Sequence, residues 1–235
     1  FRGWYESQEQ EGETIEKIEE GQTGNKTYYA KWETNKYTVT FKNGDKTEKT
    51  QEIEHGGNAE APALTKAGYT LTWDKNFTNI TQDLSINAIW TANTNTTYKI
   101  EHYKQNKEQN GYELAETDNL EGTTDQEATA EAKTYKGFSE DTQNTERVAS
   151  GNIEGNGNLI LKLYYNRNTY TVTLETNGGT INSGNINSYT YGIESTLPTD
   201  ITKQGHHFGG WYENAELEGE AIEKIEAIGG KAEVI

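Results

Sequence analysis

The chain has no cysteine, no methionine and two prolines, and it carries little aliphatic bulk. Without cysteine there is no disulfide framework, no thiolate metal site and no cysteine nucleophile. That absence does not choose a compartment. Methionine is missing even at position 1, and the chain opens inside a motif. We therefore read it as a fragment, with any signal peptide, wall-sorting signal or anchor lying outside it. Its apolar runs fall short of membrane-spanning length. Positive charge is also scarce, with 21 Lys and Arg against 38 Asp and Glu and a net charge of -17. Phosphate binding needs a basic patch, so nucleic acid and anionic membranes are poor partners. The acidity reads as solubility and repulsion between modules. Leu, Ile, Val and Phe together make up 37 of 235 residues, a level that with this charge ordinarily signals disorder. Fifteen Tyr and five Trp overrule that reading. They recur at regular strand positions, and each brings about 150–250 Å² of surface to a core. Small aromatic-centred β modules fit this composition better than one large aliphatic core.

What is present is repetition. Residues 1–18, FRGWYESQEQEGETIEKI, return as residues 208–225, FGGWYENAELEGEAIEKI, with 13 of 18 positions identical at an offset of 207. A match of that density makes the chain a repeat array. In the first copy, Ile15 and Ile18 are three apart, which allows one helical turn or a loop pinned by two isoleucines. The segment 26–32, KTYYAKW, alternates as a half-buried strand. YTVTF at 37–41 alternates Tyr37, Val39 and Phe41 against threonines, and Asn43-Gly44-Asp45 signals a hairpin turn onto 46–53. Pro62 lies in a connecting segment that leads to GYTLTW at 68–73. LSINAIW at 84–90 closes the unit on the same Ala-x-Trp ending as Ala30-Lys31-Trp32.

After a polar linker at 91–97 the pattern changes. YKIEHY (98–103) and YELAETDNL (112–120) read as a hairpin. Asp125 to Lys133 is rich in helix formers, with Asp125 as its N-cap. A second hairpin ends in LILKLYY at 159–165. The order hairpin, helix, hairpin is that of a β-grasp domain, so the expected fold class is α+β, β-rich. It would consist of small β-grasp or ubiquitin-like modules in tandem, in an elongated array. YTVTL at 170–174 restarts the first pattern at an offset of 133. Asn177-Gly178-Gly179 is its turn, Leu197-Pro198 its connector, and Phe208-Gly-Gly-Trp211-Tyr212 its signature. The closing strand is either missing or has become KAEVI at 231–235.

The YTVTF, Gly-Tyr-Thr, FxGWY and YAKW elements, in that order, resemble the Listeria–Bacteroides repeat, also called the internalin B-type repeat. The resemblance covers 1–34 as the back part of a repeat, 35–91 as a divergent repeat, and 168–235 as a repeat truncated or divergent at its end. In 35–91 the Gly before Trp73 and the Tyr after it are lost. The structural signature comprises Phe1, Gly3, Trp4, Tyr5, Trp32, Trp73, Trp90, Phe208, Gly210, Trp211 and Tyr212. Residues 96–167 resemble the mucin-binding-protein-like (MucBP-like) family through 98–103, Lys136-Gly137-Phe138, Gly151-Asn152-Ile153 and 161–165. Both resemblances imply small β-grasp-like modules on the surface of a Gram-positive-like bacterium, cell-wall anchored or secreted. They imply a monomer with a role in display or adhesion, no enzyme and no cofactor. Short linkers would let such modules stack into a stalk. The partner implied is a host glycan, a mucin-type glycoprotein or another surface protein.

No catalytic constellation emerges. His55, His102, His206 and His207 lack a paired metal-ligand spacing, and the acidic run at 6–20 and its twin lack the alternating Asp/Asn ligands of a calcium loop. Asn-Gly-Gly at 177–179 is a hairpin turn rather than a phosphate cradle. The tryptophans at 4, 32, 90 and 211 read as core residues, with sugar-stacking platforms as the alternative. In the central module Tyr103 and Tyr164 alternate away from the face assigned to the core. They are therefore the candidate exposed ligand contacts.

Overall fold

The computed structural model describes residues 1–226. The chain divides into two compact units, Phe1–Thr91 and Ala92–Ile235. The KAEVI segment at 231–235 lies outside the described residues.

The first unit opens with a small ladder, β1 (Gly3–Tyr5) antiparallel to β2 (Tyr29–Lys31). Four longer strands follow: β3 (Lys36–Asn43), β4 (Lys46–Glu54), β5 (Tyr69–Trp73) and β6 (Leu84–Ala92), in the sheet order β4-β3-β6-β5. β3 and β4 form the hairpin that Asn43-Gly44-Asp45 signals, with Gly44 at a φ of 59° in the turn. β6 lies parallel to β3 on its other side. Alternation places Val39, Phe41 and Ile86 on one face, where they are fully buried beneath Ala59 and Ile80 of the connecting segments. The Phe41 ring meets Trp73 at 5.0 Å and Phe77 at 5.4 Å, both edge-on. Full burial of such side chains stabilises by about 1.5–3 kcal/mol each.

The second unit contains β7 (Thr96–Gln105), β8 (Tyr112–Gly122), β9 (Glu127–Thr129), β10 (Phe138–Glu140), β11 (Ser150–Asn152) and β12 (Ile160–Arg167). Its main sheet runs β10-β12-β7-β8, and β9 pairs with β11 in a two-stranded ladder. Here too the central pair, β7 and β12, is parallel. Among the described residues the remainder is three two-stranded ladders. β13 (Thr169–Thr171) pairs with β15 (Ser188–Thr190), β14 (Thr180–Ile181) with β17 (Ile201–Thr202), and β16 (Ser195–Thr196) with β18 (Lys224–Ile225). Asn177 and Gly178 both have positive φ, and Gly179 N–H donates to Thr176 O at 3.0 Å. That is the turn Asn-Gly favours between strands.

The expected α+β, β-grasp fold class is corrected: every regular element among the described residues is a strand. A parallel central pair needs a crossover of a dozen or more residues, usually a helix. Both crossovers here are built from loops and strands, β4 and β5 in the first and β8 to β11 in the second. The segment expected as a helix shows why. Its alanines fall at 128, 130 and 132, a period of two rather than 3.6. Ala128 is buried in β9, and Ala130 packs on the cluster of Ile100, Ile153 and Leu161. Asp125 has a φ of 66° and sits in a turn where Gln126 N–H donates to Thr123 O, so it is no helix N-cap. Propensity favoured a helix, but the spacing of the buriable side chains prevailed.

Candidate functional site

The duplicated signature folds twice in the same way. The backbone N–H of Ile15 donates to Trp4 O at 2.8 Å, and that of Ile222 to Trp211 O at 2.8 Å. Phe1 meets Trp4, and Phe208 meets Trp211, edge-on at 5.5 Å in each case. Gly3 and Gly210 have φ of 140° and 115°. A Cβ on Gly3 would stand 2.6 Å from Thr14 Cγ2, and one on Gly210 would stand 2.5 Å from Ala221 Cβ. Positions 14 and 221 are equivalent, so both glycines answer one steric demand: the chain returns directly over them. Gln10 and Leu217 share a left-handed φ, 58° and 55°. Ser7 Oγ accepts from Glu11 N–H where Asn214 Oδ1 accepts from Glu218 N–H. The stretch is therefore a loop rather than a helical turn, pinned at Ile15, while Ile18 is exposed.

The environments of the two copies differ. Trp211 is 4% exposed in a cluster with Val172, Leu197 and Ile225, and its indole N–H donates to Pro198 O at 2.7 Å. Trp4 is 47% exposed. Tyr5 is buried, whereas Trp32 is 73% exposed beside Phe1. Trp73 and Trp90 are half-buried, and Trp90 N–H donates to Asn43 Oδ1. Tyr212 is half-buried, and its neighbours Glu175, His206, His207, Phe208 and Leu217 line a cleft with it.

In the central module β7 and β12 bring Tyr103 and Tyr164 into register. Their rings stack at 5.0 Å and 14°, and Tyr112 abuts Tyr164 edge-on. Tyr103 OH donates to Glu101 at 2.6 Å, and Tyr164 OH to Glu146 at 3.2 Å. The hydrogen bond to Glu101, aided by burial, pushes the Tyr103 phenol up to about 12. Burial, aided by Glu146, does the same to Tyr164. Both phenols are held neutral as donors. Tyr164 is 3% exposed, contrary to the expected open face. The turn of residues 141–147 lies over it, with Asp141 N–H donating to Tyr164 O. The tyrosines spend their ring faces on one another.

The opposite face holds a polar hub that the sequence did not single out. His102 is fully buried, with Nδ1 2.9 Å from Tyr165 OH and Nε2 3.2 Å from Asp118. Lys133 donates through Nζ to Asp118 and Glu116 and through its backbone N–H to Tyr165 OH. The Lys133 ammonium, followed by His102, holds the Asp118 carboxyl below its usual range. The available signal was that His102 shares strand parity with Ile100. Among the described residues no group of three His, Asp or Glu side chains is placed to hold a metal.

The geometry defines a tandem-repeat protein of small, separately cored β modules. The Listeria-Bacteroides repeat domain model matches residues 37–101 and 170–234. That is more than half of the chain, which therefore belongs to the Listeria-Bacteroides repeat family. The matched stretches stop short of residues 102–169. The chain is similar to a "Putative Gly-rich membrane protein" of Evansella cellulosilytica, at 28% identity over 92% of this chain and 28% of the relative. A second relative from the same organism, a "Putative membrane protein", is 29% identical over 83% of this chain and 30% of its own length. The chain spans less than a third of either relative. No helix among the described residues is long and apolar enough to cross a membrane.

Proposed function

We propose that this chain is part of an extracellular, non-enzymatic repeat region of a bacterial surface protein, serving as a spacer that displays another domain. The observation that carries the reading is the junction between residues 96–167 and the last repeat. A single residue, Asn168, separates β12 from β13, and it is tied down by its N–H donating to Gly137 O and its side chain accepting from Ser139. Tyr191 lies flat against Gly137, where an added Cβ would stand 2.1 Å from the ring, and meets Phe138 at 5.8 Å. Arg167 Nη1 donates to Tyr191 O at 2.9 Å. A spacer needs joints that are packed rather than loose, and this joint is packed. The membership in a repeat family and the membrane-protein names of two relatives support the surface location.

Within this reading residues 96–167 are a MucBP-like module interposed between internalin B-type repeats. The support is the motif resemblance together with a sheet and core of their own. Small-angle scattering of the chain tests the spacer. A compact chain of this length has a radius of gyration of about 18 Å. The spacer reading expects a value well above it, and a value at it overturns the reading.

A further inference from the structure

In residues 35–91 and in residues 96–167 alike, the strand that enters the module and the strand that leaves it are parallel neighbours at the centre of the sheet. β3 meets β6 through four in-register pairs, Val39–Leu84 to Lys42–Asn87. β7 meets β12 through six, Lys99–Ile160 to Lys104–Tyr165. The arrangement has a direction. Tension on the backbone enters at the N-terminal end of the first strand and leaves at the C-terminal end of the last. In a parallel pair those two points lie at opposite ends, so the strands are drawn past each other and all the bonds between them are loaded together. An antiparallel pair would be entered and left at one end, and its bonds would break one at a time. Side chains fasten the same two pairs. Trp90 Nε1–H on β6 donates to Asn43 Oδ1 on β3 at 3.0 Å. Tyr103 on β7 stacks on Tyr164 of β12, and on the other face His102 Nδ1 lies 2.9 Å from the Tyr165 hydroxyl. Ile100, His102, Leu161 and Leu163 are buried along β7 and β12, which keeps water from replacing the ladder bonds as they lengthen. Three residues, 93–95, separate β6 from β7, so tension passes from one such strand into the next with little slack.

We propose that residues 35–91 and 96–167 have a mechanical function: each is a shear clamp that resists tension applied along the chain. The proposal takes its purpose from the spacer reading, since a surface spacer is pulled from its ends. It is measured separately, because rupture force depends on which strands are sheared and not on the shape that scattering reports. A compact scattering profile would remove the spacer and leave the clamp standing, whereas a weak clamp would leave an elongated spacer standing.

Forced unfolding follows the barrier along the pulled direction rather than the equilibrium stability, so the test changes the direction and little else. The chain has no cysteine, and paired cysteines introduced into the full chain therefore fix where DNA handles attach in an optical trap. Lys99→Cys with Thr169→Cys shears β7 against β12. Lys99→Cys with Asn158→Cys draws the same two strands apart from one end. All three positions are exposed. A release of roughly 200 Å, from about 60 to 70 residues at about 3.5 Å each, shows that the module was folded when it ruptured. The expected result is a single rupture on the shear axis at a force several-fold above that on the peeling axis. The unsubstituted chain, held by its two ends, should give module ruptures at the shear force. Equal forces on the two axes overturn the proposal, and so do end-pulled modules that yield at the peeling force.

Discussion

Replacing Gly210 by alanine sets two costs against the last repeat, and they can be separated. The first is conformational: a φ of 115° is open to glycine and strained for any side chain, worth about 1–3 kcal/mol. The second is overlap, because the new methyl stands 2.5 Å from Ala221 Cβ, which is fixed to the backbone and cannot swing away. Overpacking of this kind costs about 1–3 kcal/mol. The sum is about 2–6 kcal/mol, which raises the population of locally opened molecules at least about thirtyfold. Hydrogen exchange at the Ile222 amide reads it directly, since that N–H bonds Trp211 O across the strained turn. Ala221→Gly removes the obstructing methyl and leaves the φ untouched, so the double variant should recover the overlap part, about 1–3 kcal/mol, and retain the rest. Effects of the two substitutions that simply add would refute the steric reasoning. Gly3→Ala should cost less, because the nearest atom there, Thr14 Cγ2, can rotate.

Three further outcomes are expected. His102→Ala leaves a cavity and removes the partner of Tyr165 and Asp118. It should destabilise the central module by about 2–4 kcal/mol in urea unfolding, and a loss within error would show that the hub is not structural. Gly137→Ala should unseat Tyr191, seen as lost exchange protection of the Tyr191 amide, which bonds Asn168 O; adding Tyr191→Ala should relieve the overlap and leave only the strain of a φ of 75° at position 137. The Tyr103 and Tyr164 phenols titrate near 12 when folded against 10 when unfolded. Their stabilising contribution is therefore complete below pH 10 and lost as pH rises through 12. Phenylalanine at both positions should flatten that alkaline loss in thermal melts, and an unchanged slope would assign it elsewhere.

What could be read from the chain depended on how local the signal was. The alternation of Tyr37, Val39 and Phe41 and the turn at Gly44 describe β3 and β4 closely, because period and turn chemistry act within a few residues. The stretch from Asp125 to Lys133 misled because composition was weighed above spacing, when buried Ala128 and half-buried Ala130 alternate with exposed neighbours at the period of a strand. Tyr164 misled for a different reason. Parity assigns a residue to a face but cannot tell that the turn of 141–147 folds back over that face. Trp32 and Trp4 were read as core from their recurrence, yet both are exposed. Recurrence marks an equivalent position in the module, whereas burial depends on which segments pack against it, as Leu197 and Pro198 do against Trp211. The seat of Tyr191 on Gly137 is likewise a contact across 54 positions with no local trace. Gly137 was noticed only as part of a motif.

Differential scanning calorimetry of the whole chain tests the modular architecture most directly. The buried clusters around Phe41, around Leu161 and around Trp211 share no member. They predict several overlapping transitions and a calorimetric enthalpy that exceeds the van't Hoff value. A single transition with the two enthalpies equal would mean one cooperative core and would contradict a chain of separately folded repeats.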